Sequence, residues 1–295
     1  MRVTEALIYG RMGRNNTIAR ARLEKSSQPL MTGHAIERPS EDPLLANRIE
    51  QSKRGKRRAS MFQNNIERTR VYYQHIETAV GGVVEDLSEL QSIAISMVNG
   101  AMNADNKAMV AVQVESILES MRALSNTKFD GRYVFSGRLE NTPPYDATDT
   151  YQGDPIGRTV PIADGYAIQA DLSGLEVFGD PGTGDPTAFQ AASNLQAALL
   201  ANDNTQVLAA LAELKTAHQN ATLAWSGVGF RLDELQRFDG VANDQEMEYQ
   251  AQESKLIGAD YAKAASDMQF AETVYQASLA TSSKLMDILK LEARL

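Results

Sequence analysis

Three histidines, His34, His75 and His218, are the only imidazoles in a chain of 295 residues that has no cysteine. They lie far apart, and none sits in a His-x-x-x-His or His-Glu-x-x-His spacing, so no zinc site on one helix face is offered. The absence of thiols removes cysteine nucleophiles, disulfides and thiolate metal sites. No Gly-x-Ser-x-Gly elbow carries a serine nucleophile. The glycine-dense loop Asp180-Pro181-Gly182-Thr183-Gly184-Asp185 lacks the lysine and spacing of a phosphate cradle and the ligand order of an EF-hand, and it reads as an acidic surface turn. Carboxylates are abundant, but sequence alone does not tell a catalytic pair from surface acid. No catalytic, cofactor-binding or metal-ligating residue is therefore assigned, no cofactor is expected, and the chain reads as a non-enzyme.

The strongest charge cluster is Lys53-Arg54-Gly55-Lys56-Arg57-Arg58. Such a run can grip nucleic acid or an anionic lipid surface. Here no aromatic platform is interleaved and the chain as a whole carries −9, so neither nucleic acid nor membrane insertion is expected. The run reads as a solvated or partner-facing side of a helix. Residues 1–70 hold 15 Lys+Arg against 7 Asp+Glu, or +8, while 71–295 hold 14 against 31, or −17. The two parts attract, within one chain or between neighbouring copies. No apolar run approaches the ~18 residues of a membrane span. The first 25 residues carry Arg2, Arg11, Arg14, Arg20 and Arg22 without the apolar stretch of a cleaved secretory signal.

What positions these charges is helical. Phe62, Ile66, Thr69, Tyr73, Ile76, Val80, Val83, Leu87, Leu90, Ala94 and Met97 repeat every 3.5 residues, the spacing of a coiled-coil seam, over roughly 50 Å of helix. Arg38-Pro39-Ser40-Glu41-Asp42-Pro43 supplies the start, with Ser40 or Asp42 as cap and Pro43 in the first turn. The helix is predicted from about 43 to Val98, with a stop at Asn99-Gly100. A second helix carries Val110, Val114, Ile117, Met121 and Leu124 on one face. From Phe129 to Pro186 lie 9 of the 20 glycines and 6 of the 9 prolines, with 3 basic against 10 acidic side chains. Short alternating pieces there, Arg132–Phe135 and Tyr166–Ala170, predict a small acidic β-rich insertion with turns at Gly153, Gly157, Gly165 and Gly174. Helix resumes near Thr187 through Leu195, Leu199, Val207, Leu211 and Leu214, with a break at Asn202-Asp203-Asn204.

The 3.5 spacing returns at Ile257, Tyr261, Ala264, Met268, Ala271, Tyr275, Ser278, Ser282, Leu285 and Leu289. A weaker match near the start comprises Val3, Leu7, Ile18 and Leu23, interrupted by Gly10 and Gly13. Amphipathic segments at both ends can pair antiparallel. The predicted fold is mainly α: a long helical hairpin or coiled-coil rod formed by the N- and C-terminal parts, with a small β-rich inserted domain. The expected divisions are a terminal coiled-coil domain of 1–30 and 257–295, a helical bundle of 31–128 and 187–256, and the exposed insertion 129–186.

Leu30-Met31-Thr32-Gly33 followed by Arg38, Pro39, Ser40, Glu41, Asp42 and Pro43 resembles the N-terminal signature of the flagellin superfamily, in the variant of the hook–filament junction branch. Gln63-Asn64-Asn65-Ile66, Asn126-Thr127-Lys128, Gly131-Arg132-Tyr133-Val134-Phe135-Ser136-Gly137 and Tyr151-Gln152-Gly153-Asp154 are similar to its later motifs, as are Ala259–Ala264 and Ser282–Leu289. The Gly131, Arg132, Tyr133, Phe135 and Gly137 segment discriminates most. Two departures stand out: His34 where lysine is common, and Gln28-Pro29 within a stretch that is usually helical.

The resemblance implies a structural flagellar subunit, exported unfolded through the type III apparatus without a cleaved signal and held beforehand by an export chaperone. Its partners would be hook-associated protein 1, flagellin and copies of itself in a ring outside the cell. Val3, Leu7, Ile18, Leu23, Ile257, Tyr261, Met268, Tyr275, Leu285 and Leu289 would form the assembly interface. Two rival readings are a flagellin-like filament subunit and a secreted enzyme with its site in the insertion.

Overall fold

A residue pattern that repeats every 3.5 positions demands helices that pair, and the computed structural model is built of them. It describes residues 2–99, 104–184 and 186–292, without the side chains of 2–5, 99 and 289–292. In chain order the helices are α1 Arg2–Thr32, α2 Pro43–Asn99, α3 Ala104–Ser125, α4 Gly174–Phe178, α5 Ala188–Leu200, α6 Asn204–Ile257 and α7 Tyr261–Glu292. Two antiparallel ladders join β1 Lys128–Phe129 to β2 Arg132–Tyr133 and β3 Thr159–Ala163 to β4 Tyr166–Gln169. None of the described helices is long and apolar enough to cross a membrane.

Local chemistry sets the helix ends. Asp42 is the cap of α2: its Oδ1 accepts the amides of Leu44 at 3.0 Å and Leu45 at 2.9 Å, and Pro43 follows where its missing N–H costs nothing. Ser40 stands exposed in the turn before it. The far end of α2 is Asn99, as the sequence predicts, and Gly100 lies outside the described residues. Pro29 does not end α1. The helix continues to Thr32, and the Gly33 amide donates to the Pro29 carbonyl at 3.0 Å. At the predicted break, Asp203 Oδ1 accepts the amides of Thr205 and Gln206 and starts α6, while Thr187 and Gln190 form a capping box on α5.

The chain divides into two compact units, one of 1–58 with 245–295 and one of 59–244. These limits differ from the three-part division, which separates segments by role in assembly and not by compactness. In the 59–244 unit every one of the eleven seam residues of α2 from Phe62 to Met97 is buried. All but Thr69 share one core with Val114, Ile117 and Met121 of α3, Leu195 and Leu199 of α5, and Val207, Leu211, Leu214 and Val228 of α6. Burial of large apolar side chains at about 1.5–3 kcal/mol each makes this seam a substantial contributor to the unit's stability.

The insertion contains less strand than the sequence predicts. Arg132-Tyr133 pairs with Lys128-Phe129 and the Val134 amide still donates to the Thr127 carbonyl at 3.1 Å, but the strand ends there and the Val134 and Phe135 side chains are both buried in the core. Gly165 turns the β3–β4 hairpin as expected, whereas Gly174 opens the short helix α4. Val134, Phe135, Tyr145, Ile162, Ile168, Leu172, Val177 and Phe178 all belong to the same core as the long helices.

Candidate functional site

The motif residues of the insertion are structural. Asp130 and Gly131 both take positive φ, 50° and 78°, which is the primed turn that joins two short strands without splaying them. Arg132 pairs with Glu140 at 2.9 Å, and Lys128 stands 4.4 Å from the centroid of the Tyr133 ring. The Phe135 ring meets Phe178 edge-on at 5.8 Å, and the Phe135 carbonyl accepts from the Tyr151 hydroxyl at 2.9 Å and the Gly174 amide at 2.9 Å. Any side chain at Gly137 would collide with the Asp154 carbonyl. The helices hold the insertion through the other motifs. Asn65 Nδ2 donates to the Pro161 carbonyl at 2.9 Å, and Asn126 clamps the Tyr145 backbone on both sides at 3.3 Å.

A cavity of about 610 Å³ lies beside α2 in this unit, lined in part by Arg68, Tyr72, Phe129, Arg132 and Arg158. Several of its polar groups hold the insertion in place. Arg158 binds Asp171 in a two-pronged pair at 2.9 and 2.8 Å and also pairs with Glu140, and the Asp171 side chain is 1 % exposed. Tyr72 donates to the Val134 carbonyl at 3.3 Å, and burial pushes its hydroxyl pKa well above the ordinary tyrosine value. The histidines are dispersed: His75 lies against the Phe129 ring at 4.3 Å and His34 sits in a single bridge to Gly258. Among the described residues no cluster of three or more His, Asp or Glu could hold a metal. Asp180 caps a 3₁₀ turn through the Gly182 amide at 2.8 Å, and Asp185 lies outside the described residues.

The remaining candidate is the terminal helix pair, in the other unit. The Ala35 amide donates to the Ile257 carbonyl at 2.7 Å and the Ala259 amide to the Gly33 carbonyl at 2.9 Å. Farther along, Asn16 meets Ser278 and Ser282. Position numbers fall on one helix as they rise on the other, so α1 and α7 run antiparallel. Asp260 starts α7 by accepting the Lys263 amide at 3.1 Å. The α7 seam runs along Ala264, Met268, Ala271, Tyr275, Ser278 and Ser282, all buried or half-buried.

On α1 the seam corrects the sequence reading. It consists of Ile8, Met12, Asn16, Ala19 and Leu23; Leu7 and Ile18 are 55 % and 52 % exposed. Those two stand about a third of a turn from the seam, three turns apart on one flank. Of the expected interface, Leu23, Met268 and Tyr275 lie half-buried along the seam, Ile257 is half-buried at its end, and Tyr261 and Leu285 are exposed. The side chains of Val3 and Leu289 lie outside the described residues. The missed positions are spaced four, four, three and four residues apart on one helix face, but the polar Asn16 hides the pattern and Leu7 and Ile18 draw attention to the wrong flank. Phe270 is 73 % exposed, and Ile288, five turns on and on the same flank of α7, is also exposed.

Comparison with known proteins agrees with this architecture. The bacterial flagellin N-terminal helical region matches residues 4–140. Flagellar hook-associated protein 3 of Salmonella typhimurium is 22% identical over 95% of this chain and 96% of its own length, and the Escherichia coli protein of that name is 24% identical over 94% and 95%. In fold, the chain is similar to a putative flagellar hook-associated protein from Vibrio parahaemolyticus, with a TM-score of 0.67 and 20% identity over 74% of this chain and 100% of that one. Flagellar hook-associated protein 3 from Legionella pneumophila gives 0.63 and 16% over 70% and 98%. The chain is thus similar along almost its whole length to flagellar hook-associated protein 3 and carries a flagellin-type N-terminal region, which supports a structural flagellar role.

Proposed function

We propose that the chain is the subunit joining the flagellar hook to the flagellin filament, acting as a non-enzymatic structural part outside the cell. Its partners in this reading are hook-associated protein 1 on one side, flagellin on the other and copies of itself in a ring. An export chaperone and the type III apparatus deliver it unfolded, without a cleaved signal. The supporting observation is the terminal helix pair. Its seam is narrow and partly polar, while Leu7, Ile18, Tyr261, Phe270, Leu279 and Ile288 stand exposed around it. A helix pair with apolar side chains outside as well as inside is suited to being covered by neighbours.

The mechanism is coupled ordering and assembly. Helices of this composition are marginal alone, and packing against neighbouring subunits around a channel stabilises them. In this reading the segments 1–30 and 257–295 polymerise, the bundle of 31–128 and 187–256 lies outside them, and 129–186 faces solvent. A strain lacking the chain should make complete hooks, carry no filaments and lose flagellin to the medium. Filaments of normal length in that strain would overturn the reading.

A second reading, a flagellin-like filament subunit, is favoured by the flagellin-type region at 4–140. It predicts that the purified chain polymerises alone into long filaments. The junction reading predicts short oligomers.

A further inference from the structure

We infer that the hydrogen-bonded trio of Asn16, Ser278 and Ser282 fixes the register in which α1 pairs with α7, and so decides which face of the pair is left for neighbouring subunits. Asn16 Oδ1 accepts from Ser278 Oγ at 2.6 Å and from Ser282 Oγ at 3.4 Å. Ser282 is buried and the other two are half-buried. The apolar part of the seam does not fix register by itself. Along α7, Ala264 and Met268 are followed one heptad later by Ala271 and Tyr275, a small residue and then a large one each time. A slip of seven residues, about 10 Å along the helix, therefore exchanges like for like. The third heptad breaks the repeat with Ser278 and Ser282.

A slipped pair would set Asn16 against Ala271 and Tyr275, leaving its amide and both serine hydroxyls without their partners. Buried polar groups that lose their hydrogen bonds destabilise the arrangement that strands them. One asparagine in an otherwise apolar seam is a known device for selecting register at some cost in stability. The consequence reaches the outer surface: a seven-residue slip would shift Phe270 and Ile288 of α7 relative to Leu7 and Ile18 of α1 by two turns. The consequence for assembly rests on the proposed role of the pair. The register itself does not.

The chain has no cysteine, so introduced pairs report register directly. In the full chain, Ala19→Cys with Tyr275→Cys lies one turn from the trio in the observed register, and Ala19→Cys with Met268→Cys reports the slip. Oxidation traps paired states even where the pair opens, so the ratio of the two cross-linking yields reads the register population. The first pair should cross-link at least about tenfold more efficiently than the second. Asn16→Leu should bring the yields within about twofold of each other without loss of the cooperative transition of the 59–244 unit, and Ser278→Ala with Ser282→Ala should act in the same direction. Unchanged preference for the 275 pair in Asn16→Leu, or cross-linking of neither pair in the parent chain, overturns the inference. Correct register with failed assembly would instead count against the junction reading.

Discussion

Two seams with the same 3.5-residue spacing behave differently in this chain. Along α2 the eleven seam residues of the 59–244 unit are all buried, against α3, α5, α6 and the insertion. Between α1 and α7 the seam is only partly buried, includes Asn16, Ser278 and Ser282, and is flanked by exposed Leu7, Ile18 and Phe270. Periodicity fixes which face of a helix is inward; it does not say how much of the covering surface the same chain supplies. The first seam is closed by its own chain, and the second keeps large apolar side chains exposed beside it.

The sharpest way to break this contrast is to remove a large side chain from the closed seam. Leu87→Ala should destabilise the 59–244 unit by about 2–5 kcal/mol and lower its thermal transition, whereas Met12→Ala in the open seam should leave that transition in place; both are read by calorimetry. Next in size is the insertion's anchor. Arg158→Ala strands the buried Asp171 carboxylate and should cost about 3 kcal/mol, the low end for a buried pair because Arg158 is 40 % exposed. Beside the open seam, the exposed Gly10 and Gly13 sit within α1 with nothing inside 4 Å of an added Cβ. Gly10→Ala and Gly13→Ala should each stabilise α1 by about 1 kcal/mol, seen as slower amide exchange in that helix alone.

The smallest effect is one of pH. Burial raises the Asp86 carboxyl above its ordinary pKa, with Glu89 and Glu85 adding repulsion against the opposing Ser120 hydrogen bond. The folded state therefore holds that proton more tightly than the unfolded chain. Stability contributed here falls as pH rises from the unfolded value through the raised folded one and is level above it. Asp86→Asn should flatten that acid slope and raise stability at neutral pH, by less than about 1 kcal/mol because the group is half-solvated.

Much of the closed seam was legible in sequence because it is long, apolar and uninterrupted. The cap at Asp42, the end at Asn99 and the break before α6 follow from residue types that satisfy helix termini in any context. Less was legible where tertiary burial overrides local pattern. Val134 and Phe135 follow each other in a strand-like stretch, yet both side chains are buried in the core, where a half-exposed strand would turn one of them outward. The α1 seam was obscured by its own register device, since Asn16 breaks an apolar repeat that Ile8, Met12, Ala19 and Leu23 otherwise keep. Pro29 illustrates the reverse: a local breaker that the helix passes through to Thr32.

Amide hydrogen exchange on the free monomer tests the central claim most directly, because it resolves opening free energies segment by segment. The account predicts fast exchange through α1 and α7, slow exchange through the 62–97 stretch of α2, and protection of the terminal helices only once subunits assemble. Terminal helices as strongly protected in the monomer as the α2 core would contradict it.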